Sequence, residues 1–370
     1  MHYVRMAIEK ESPEQLGYDK IKYNLTESSV RDRSLNDLGL EVKDLLLPYE
    51  DHVGKLALRE LLASHAGGSV TPQDVLVTAG AAGALFIIAT SLLEKGDHIV
   101  VARPNYATNI ETPKAIECDI SYLELEMENG FSVDLEKLES LIRPETRLVS
   151  LTCPHNPTGV VMSESELKEI ISVVEKKGCR LLLDETYREL VFGSVLPVAA
   201  TLSDRVISVS SMSKSYGIPG IRIGWITGLD SDLMHLFLCA KEQIGICGSV
   251  VDEHIAWEAL KQRESWLPEI KAHVRKAFSI LKEWKSKESR MEWVEPSGGV
   301  VCFPRIRPDF SVDVGNFYRI LNEECGTYVG PGHWFDQDRR YMRVGYAWPG
   351  LDELRGGLDG LSRALDKAGR

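Results

Sequence analysis

Ser211-Met212-Ser213-Lys214-Ser215-Tyr216-Gly217-Ile218-Pro219-Gly220-Ile221-Arg222 follows an apolar run, Val206-Ile207-Ser208-Val209, that reads as a short buried strand. One lysine sits among hydroxyls, ahead of two glycines, a proline and an arginine. A lysine at a strand end, inside a loop of small residues, is placed to become a buried amine. Burial disfavours the ammonium form, so its pKa falls and it can serve as nucleophile or base. The hydroxyls of Ser211 and Ser213 and the guanidinium of Arg222 can hold a phosphate close to that amine. A surface loop with a solvated lysine fits the same residues. The two readings stand near balance on this stretch, and the rest of the chain has to decide.

The chain has 370 residues, 44% hydrophobic and 26% charged, an ordinary globular composition with length for a large core and two domains. A net charge of −12 argues against nucleic acid or an anionic membrane as the main partner. Seven scattered cysteines with no CxxC pair fit a reducing, cytoplasmic setting and speak against a zinc site or a disulfide framework. No metal is expected. The N-terminus lacks an apolar signal core, and no apolar run approaches membrane-spanning length.

Short apolar strands recur along the chain, each ending in residues with chemistry. Val75-Leu-Val-Thr78 runs into Ala79-Gly80-Ala81-Ala82-Gly83, small residues that open an apolar helix whose first N–H groups can face an anion. His98-Ile-Val-Val-Ala102 leads to Arg103-Pro-Asn-Tyr106. Arg147 to Thr152 leads to Cys153-Pro-His-Asn156-Pro157-Thr158-Gly159, where the Asn-Pro and Thr-Gly pairs mark a tight turn. Ser163 and Glu166 form a capping-box pattern opening a helix to about Lys177. Cys179 to Leu183 ends in Asp184-Glu-Thr-Tyr187, and a carboxylate at a buried strand end needs a partner. Ile221 to Thr227 reads as a strand antiparallel to its neighbours. Short helical character is expected at Glu9–Gln15, a strand from Tyr23, largely helical structure over Asp230–Leu260, and one long helix over Glu264–Lys287. The last part predicts strands at Gly299–Phe303 and Tyr341–Tyr346 and helices at 311–325 and 351–368.

Taken in order, these motifs resemble the class I/II aminotransferases, the fold-type-I pyridoxal-phosphate enzymes of the aspartate aminotransferase superfamily, from about Tyr49 to Arg343. The resemblance implies an α/β fold: a seven-stranded, mostly parallel sheet with helices on both faces in a large domain (45–270), with a smaller α/β domain from both termini (1–44 and 271–370). It implies pyridoxal 5'-phosphate held on Lys214 as a Schiff base. Asp184 would face the pyridine nitrogen, Tyr106 would stack on the ring, and Asn156 and Tyr187 would reach the phenolic oxygen. Ala81, Ala82, Ser211, Ser213 and Arg222 would hold the phosphate, joined by Tyr49 from the neighbouring subunit of a homodimer with shared sites. Arg343, with Asn156 and Ser28, would bind the substrate, the arginine taking the α-carboxylate. In this motif Pro157 is expected cis and His155 structural. The catalytic set is then Lys214, Asp184 and Tyr187.

The implied reaction moves the amino group of an L-amino acid to a 2-oxo acid by ping-pong chemistry. The arm Thr26-Glu-Ser-Ser-Val-Arg-Asp-Arg carries Ser28 or Ser29 where relatives commonly have glycine, and is somewhat like the arm of capreomycidine synthases. A lyase, cyclase or oxidase acting on an arginine-like substrate is therefore the alternative. Relatives selective for dicarboxylates can carry a lysine at the position of Ala82 and often an arginine within the stretch Gln243–Val251; neither is present, so the resemblance implies a neutral, aromatic or even basic substrate side chain. A DNA-binding regulator of the same fold is opposed by the acidity of the chain.

Overall fold

The computed structural model describes residues 1–369. Strand β1 (Tyr23–Leu25) belongs to a small sheet described below. The next seven strands are β2 (Val75–Ala79), β3 (His98–Arg103), β4 (Asp119–Glu124), β5 (Thr146–Thr152), β6 (Arg180–Asp184), β7 (Val206–Ser211) and β8 (Ile223–Thr227). They form one sheet in the order β2-β8-β7-β6-β5-β3-β4. Strands β3 to β7 pair in parallel, and β8 runs against both β7 and β2. This is the mostly parallel sheet the sequence predicts, with β8 antiparallel as expected.

Successive side chains of a strand point to opposite faces, so each strand feeds two cores. Val100, Val149, Leu181 and Leu183 pack with Leu167, Ile170, Ile171 and Val174 of the helix Glu164–Lys177. Ile99, Leu148, Leu182 and Ile207 pack on the other face with Leu85 and Ile88 of the helix Gly80–Leu92. Covered on both sides, these strands are continuous apolar runs, and each such side chain taken from water contributes about 1.5–3 kcal/mol. The helix Glu164–Lys177 starts with the expected reciprocal cap: Glu166 N–H donates to Ser163 Oγ (3.2 Å), and Ser163 N–H donates to the Glu166 carboxylate (2.6 Å).

The C-terminal part supplies β9 (Met291–Glu292), β10 (Val301–Cys302), β11 (Arg305–Ile306), β12 (Thr327–Pro331) and β13 (Met342–Gly345). A second sheet runs β1-β12-β13-β10, and β11 pairs with β9. The N-terminal arm is thus a strand of the C-terminal sheet. The helix Arg263–Lys287 joins two cores: Trp266 and Leu267 pack with Leu58 and Tyr216, while Val274, Ala277, Ile280 and Leu281 pack with Leu25, Val301 and Val344.

Several elements are shorter or more broken than expected. The helix at 9–15 is two, Ala7–Lys10 and Pro13–Leu16. Pro13 holds Ser12 extended and so separates them. The stretch 230–260 is largely helical as expected, as two helices, Ser231–Gly245 and Val250–Lys261, parted where Ile246 takes φ +56° and Ser249 caps the second. The strands expected at 299–303 and 341–346 contract to β10 and β13. The helix expected at 311–325 begins at Val314, behind the cap Asp313, and closes in a π-helical turn, Ile320–Glu324.

A buried carboxyl beside the β6 end gives a stability prediction. Glu185 accepts from Ala199 N–H (2.7 Å) and from the Ser208 hydroxyl (3.0 Å), and burial pushes its pKa up to about 7. Its folded-state pKa lies above its unfolded value, so its contribution is complete in acid and is lost as pH rises towards 7. The loss is on the order of 3 kcal/mol. Glu185→Gln keeps both acceptor contacts and cannot ionise. The variant is expected to gain Tm over the parent at pH 8 and not at pH 4.5. An equal Tm difference at both pH values would contradict this.

Candidate active site

Strands β2, β3, β5, β6 and β7 direct their carboxyl ends to one edge of the sheet, where open α/β sheets place their ligand crevices. A cavity of about 290 Å³ opens there, closed from the far side by the arm after β1 and by β13. Lys214 follows β7 and reaches into it. Its Nζ has no hydrogen bond or ion pair to any described residue. Burial lowers its pKa, with Glu27 opposing and Arg343 adding to the effect. Lys214 is half-buried and lines the cavity, so the recessed amine of the first alternative above, and not a solvated surface lysine, is the one observed.

Beside the lysine the backbone forms a cup. Arg222 sits at φ +49°, a strained conformation for a residue with a side chain. Its Nη1 donates to Pro219 O (2.9 Å) and to Ser213 Oγ (3.5 Å). Gly80 opens its helix at φ +73°, and a Cβ there would lie 2.6 Å from Arg222 Nη2. A Cβ on Gly224 would lie 2.4 Å from the Gly80 carbonyl carbon and 2.6 Å from Ala81 N. The two glycines let β8, the guanidinium and the helix start close on one another. The unbonded N–H groups of that helix start, at Ala81 and Ala82, line the cavity with Ser211, Ser213 and Arg222. Such a set of donors fits a phosphate dianion.

Asp184 ends β6 at the cavity floor, 6% exposed. It accepts from Thr186 N–H (3.0 Å) and from the Thr186 hydroxyl. Burial pushes its carboxyl above the ordinary range, against the pull of those bonds and of Lys214. Tyr106 and Tyr187 also line the cavity, and burial raises both phenols. Asn105, wholly buried, accepts on Oδ1 from Tyr106 N–H (2.7 Å) and the Thr152 hydroxyl (2.9 Å), fastening the Tyr106 turn to the end of β5.

Arg343 comes from β13 and is 4% exposed. Its Nη1 donates to Asn156 Oδ1 (3.2 Å) and its Nη2 to Thr26 O (2.8 Å), while its buried Nε has no hydrogen-bond partner among the described residues. The first contact leaves the Asn156 amide nitrogen as a donor to the cavity. Ser28 lines the same wall. The structure therefore brings together every predicted site residue except Tyr49, which is 82% exposed and lies outside the cavity of its own chain. His155 spends both ring nitrogens, on Thr158 Oγ1 (2.8 Å) and Pro104 O (2.9 Å), and burial lowers its pKa to about 4. It is structural, as expected, and the Asn156–Pro157 bond is cis. The sequence reading missed Asn105, Thr186 and Glu27. The pair Asp184-x-Thr186 is a local turn signal, and Asn105 stands just before a helix start. No local signal marks Glu27.

The family model Aminotransferase class I and II matches residues 30–357. The chain belongs to this family. It is a pyridoxal-phosphate-dependent aminotransferase of fold type I. Capreomycidine synthase of Streptomyces vinaceus is 30% identical over 79% of this chain and 74% of that protein. Arginine–pyruvate transaminase of Pseudomonas aeruginosa is 31% identical over 70% of this chain and 68% of that one. The crystal structure of a PLP-dependent aminotransferase from Streptococcus suis superposes with a TM-score of 0.91 at 29% identity, covering all of both chains. The cavity fits the family's cofactor. The glycine-closed cup would take the phosphate, Asp184 would meet the pyridine nitrogen, and Lys214 offers an amine with no hydrogen bond among the described residues. No helix among the described residues is long and apolar enough to cross a membrane.

Proposed function

We propose that this aminotransferase moves the amino group of an L-amino acid to a 2-oxo acid in two half-reactions at one site, with Lys214 carrying the cofactor. The observation that supports this best is that one cavity holds Arg343, whose buried Nε has no hydrogen-bond partner among the described residues, and Lys214, whose amine has none among them either. An α-amino acid presents a carboxylate and an amine at matching ends.

Pyridoxal phosphate, when bound, supplies a ring that stabilises negative charge at the substrate Cα. The protein's own groups do the rest. Arg343 holds the substrate carboxylate, a planar fork meeting a planar anion. Lys214, kept towards its neutral form by burial, takes the proton from Cα and returns it at the cofactor C4′. Asp184 retains the proton on the ring nitrogen. Asn156 and Tyr187 donate to the phenolic oxygen, and Tyr106 covers the ring. We further propose a cytoplasmic homodimer in which the exposed Tyr49 completes the phosphate site of the partner. The helix Arg263–Lys287 would then join the large unit, 45–270, to the small unit from both termini.

A second reading, cyclisation, elimination or oxidation of an arginine-like substrate, is supported by the similarity to capreomycidine synthase. A single-turnover experiment separates the two. Holoenzyme is mixed with a panel of L-amino acids without any 2-oxo acid. Transamination is expected to discharge the cofactor's absorbance band permanently and yield one 2-oxo acid per site. A band that returns while substrate disappears would move the assignment to the second reading.

A further inference from the structure

The charged groups lining the cavity are not all used by the reaction proposed above. Its three cations are engaged: Lys214 with the reacting amine, Arg222 with phosphate, Arg343 with the substrate carboxylate. Asp184 faces the ring. What is left is acidic, Glu9, Glu14 and Glu27, with no further lysine, arginine or histidine in the lining. Glu14 has no hydrogen bond or ion pair among the described residues. Glu27 accepts on Oε1 from the Tyr18 hydroxyl (3.2 Å) and Asn24 Nδ2 (3.3 Å), while its Oε2 has no donor among them.

Glu27 is held in register with the groups that fix the substrate. Its neighbour Thr26 accepts from Arg343 through its carbonyl (2.8 Å). The Glu27 carbonyl lies on Gly345 of β13, where a Cβ would approach to 1.8 Å. Three residues on, Val30 N–H donates to the Lys214 carbonyl (3.1 Å). Glu14 rides on the helix Pro13–Leu16. That segment is latched through Glu11, which accepts from Trp334 Nε1 (2.7 Å) and His333 Nε2 (2.9 Å). A second cavity of about 570 Å³ continues outward, sharing Glu14, Glu27 and Lys214 and adding Asp32. Besides Lys214 its lining holds one cation, Arg33, which lies over the Trp266 ring and donates to Asp37 O. An amino acid fixed by carboxylate at Arg343 and by amine at Lys214 therefore has a side-chain path bordered by carboxylates.

We infer that the substrate is an L-amino acid with a cationic side chain, a guanidinium or an ammonium, received by Glu27 together with Glu14. This rests on the site proposed above. Burial raises the Glu27 carboxyl, with Lys214 opposing; a cation beside it offsets that cost, whereas a neutral side chain leaves Oε2 without a donor and an acidic one adds to the cost.

Two measurements on the holoenzyme test it. The first is binding of 5-guanidinopentanoate, which lacks the reacting amine, against hexanoate by calorimetry. The guanidino acid is expected to bind about 10- to 100-fold more tightly, and equal affinities would overturn the inference. The second is kcat/KM for L-arginine, L-lysine, L-citrulline and L-glutamate in the parent and in Glu27→Gln. The ratio of arginine or lysine to citrulline is expected to exceed tenfold and to collapse towards unity in the variant, with the larger of the two cationic rates naming the head group. A citrulline rate equal to both cations, or an unchanged ratio in Glu27→Gln, would overturn it. Preference for a neutral amino acid with normal transamination would sink the substrate class and leave the reaction standing. Tight binding of the guanidino acid with no 2-oxo acid from any substrate would do the reverse.

Discussion

Lys214→Ala yields a folded protein that binds pyridoxal phosphate and turns over no amino acid. The side chain lies in the cavity with no hydrogen bond among the described residues, so its removal breaks none of them. The phosphate cup does not depend on it, because Gly80, Gly224, Arg222 and Ser213 are held by backbone approach and by their own contacts. What goes is the amine that carries the cofactor and the base that moves the Cα proton. Loss of the proton shuttle costs about 100- to 10 000-fold by itself, and loss of the covalent attachment adds to that. Three readouts separate chemistry from folding: Tm within a few degrees of the parent, cofactor retained on gel filtration without the protein-linked absorbance band, and no 2-oxo acid. Added small primary amines are expected to restore part of the rate, because they enter the cavity the side chain vacates. Turnover within tenfold of the parent would remove Lys214 from the reaction.

Much of this site was legible because its chemistry is local to strand ends. Lys214, Asp184, Asn156 and Tyr106 each follow a short apolar run, and a buried parallel strand announces itself by that run. The glycines beside Arg222 were legible as a loop, but not as the contact of Gly224 on Gly80, which joins β8 to the helix after β2. That contact is set by strand order, and strand order is absent from any window of sequence. Glu27 shows the same limit. Its neighbours are polar and its own position is unremarkable by pattern. It reaches the site because β1 adds in parallel to β12, a pairing across some three hundred residues. The broken helices have a different cause. Apolar spacing over 230–260 fits one helix as well as two, and the break at Ile246 is a backbone conformation that pattern does not report.

Asp184→Asn is expected to lower kcat by about 100- to 1000-fold, the usual cost of losing one hydrogen-bonded positive group on which a developing anion depends, here the ring proton that Asp184 would hold, with cofactor binding and Tm kept. The substitution is nearly isosteric. An asparagine Oδ1 can still accept from Thr186 N–H and the Thr186 hydroxyl, so the turn after β6 survives. The charge does not. In the cofactor-free cavity burial pushes the Asp184 carboxyl up, and a protonated ring nitrogen would offset that penalty by placing a cation against it. The proton is then shared by a matched pair, and the ring keeps its pull on electrons throughout the reaction. An amide cannot enforce that protonation. If Asp184 acts through charge, loading Asp184→Asn with an N-methylated cofactor analogue, a permanent cation, recovers a large part of the lost kcat. If it acts only by shaping the floor of the cavity, the methyl group worsens the fit and the rate falls further. Recovery and further loss point in opposite directions, so the experiment decides between electrostatics and packing at one atom.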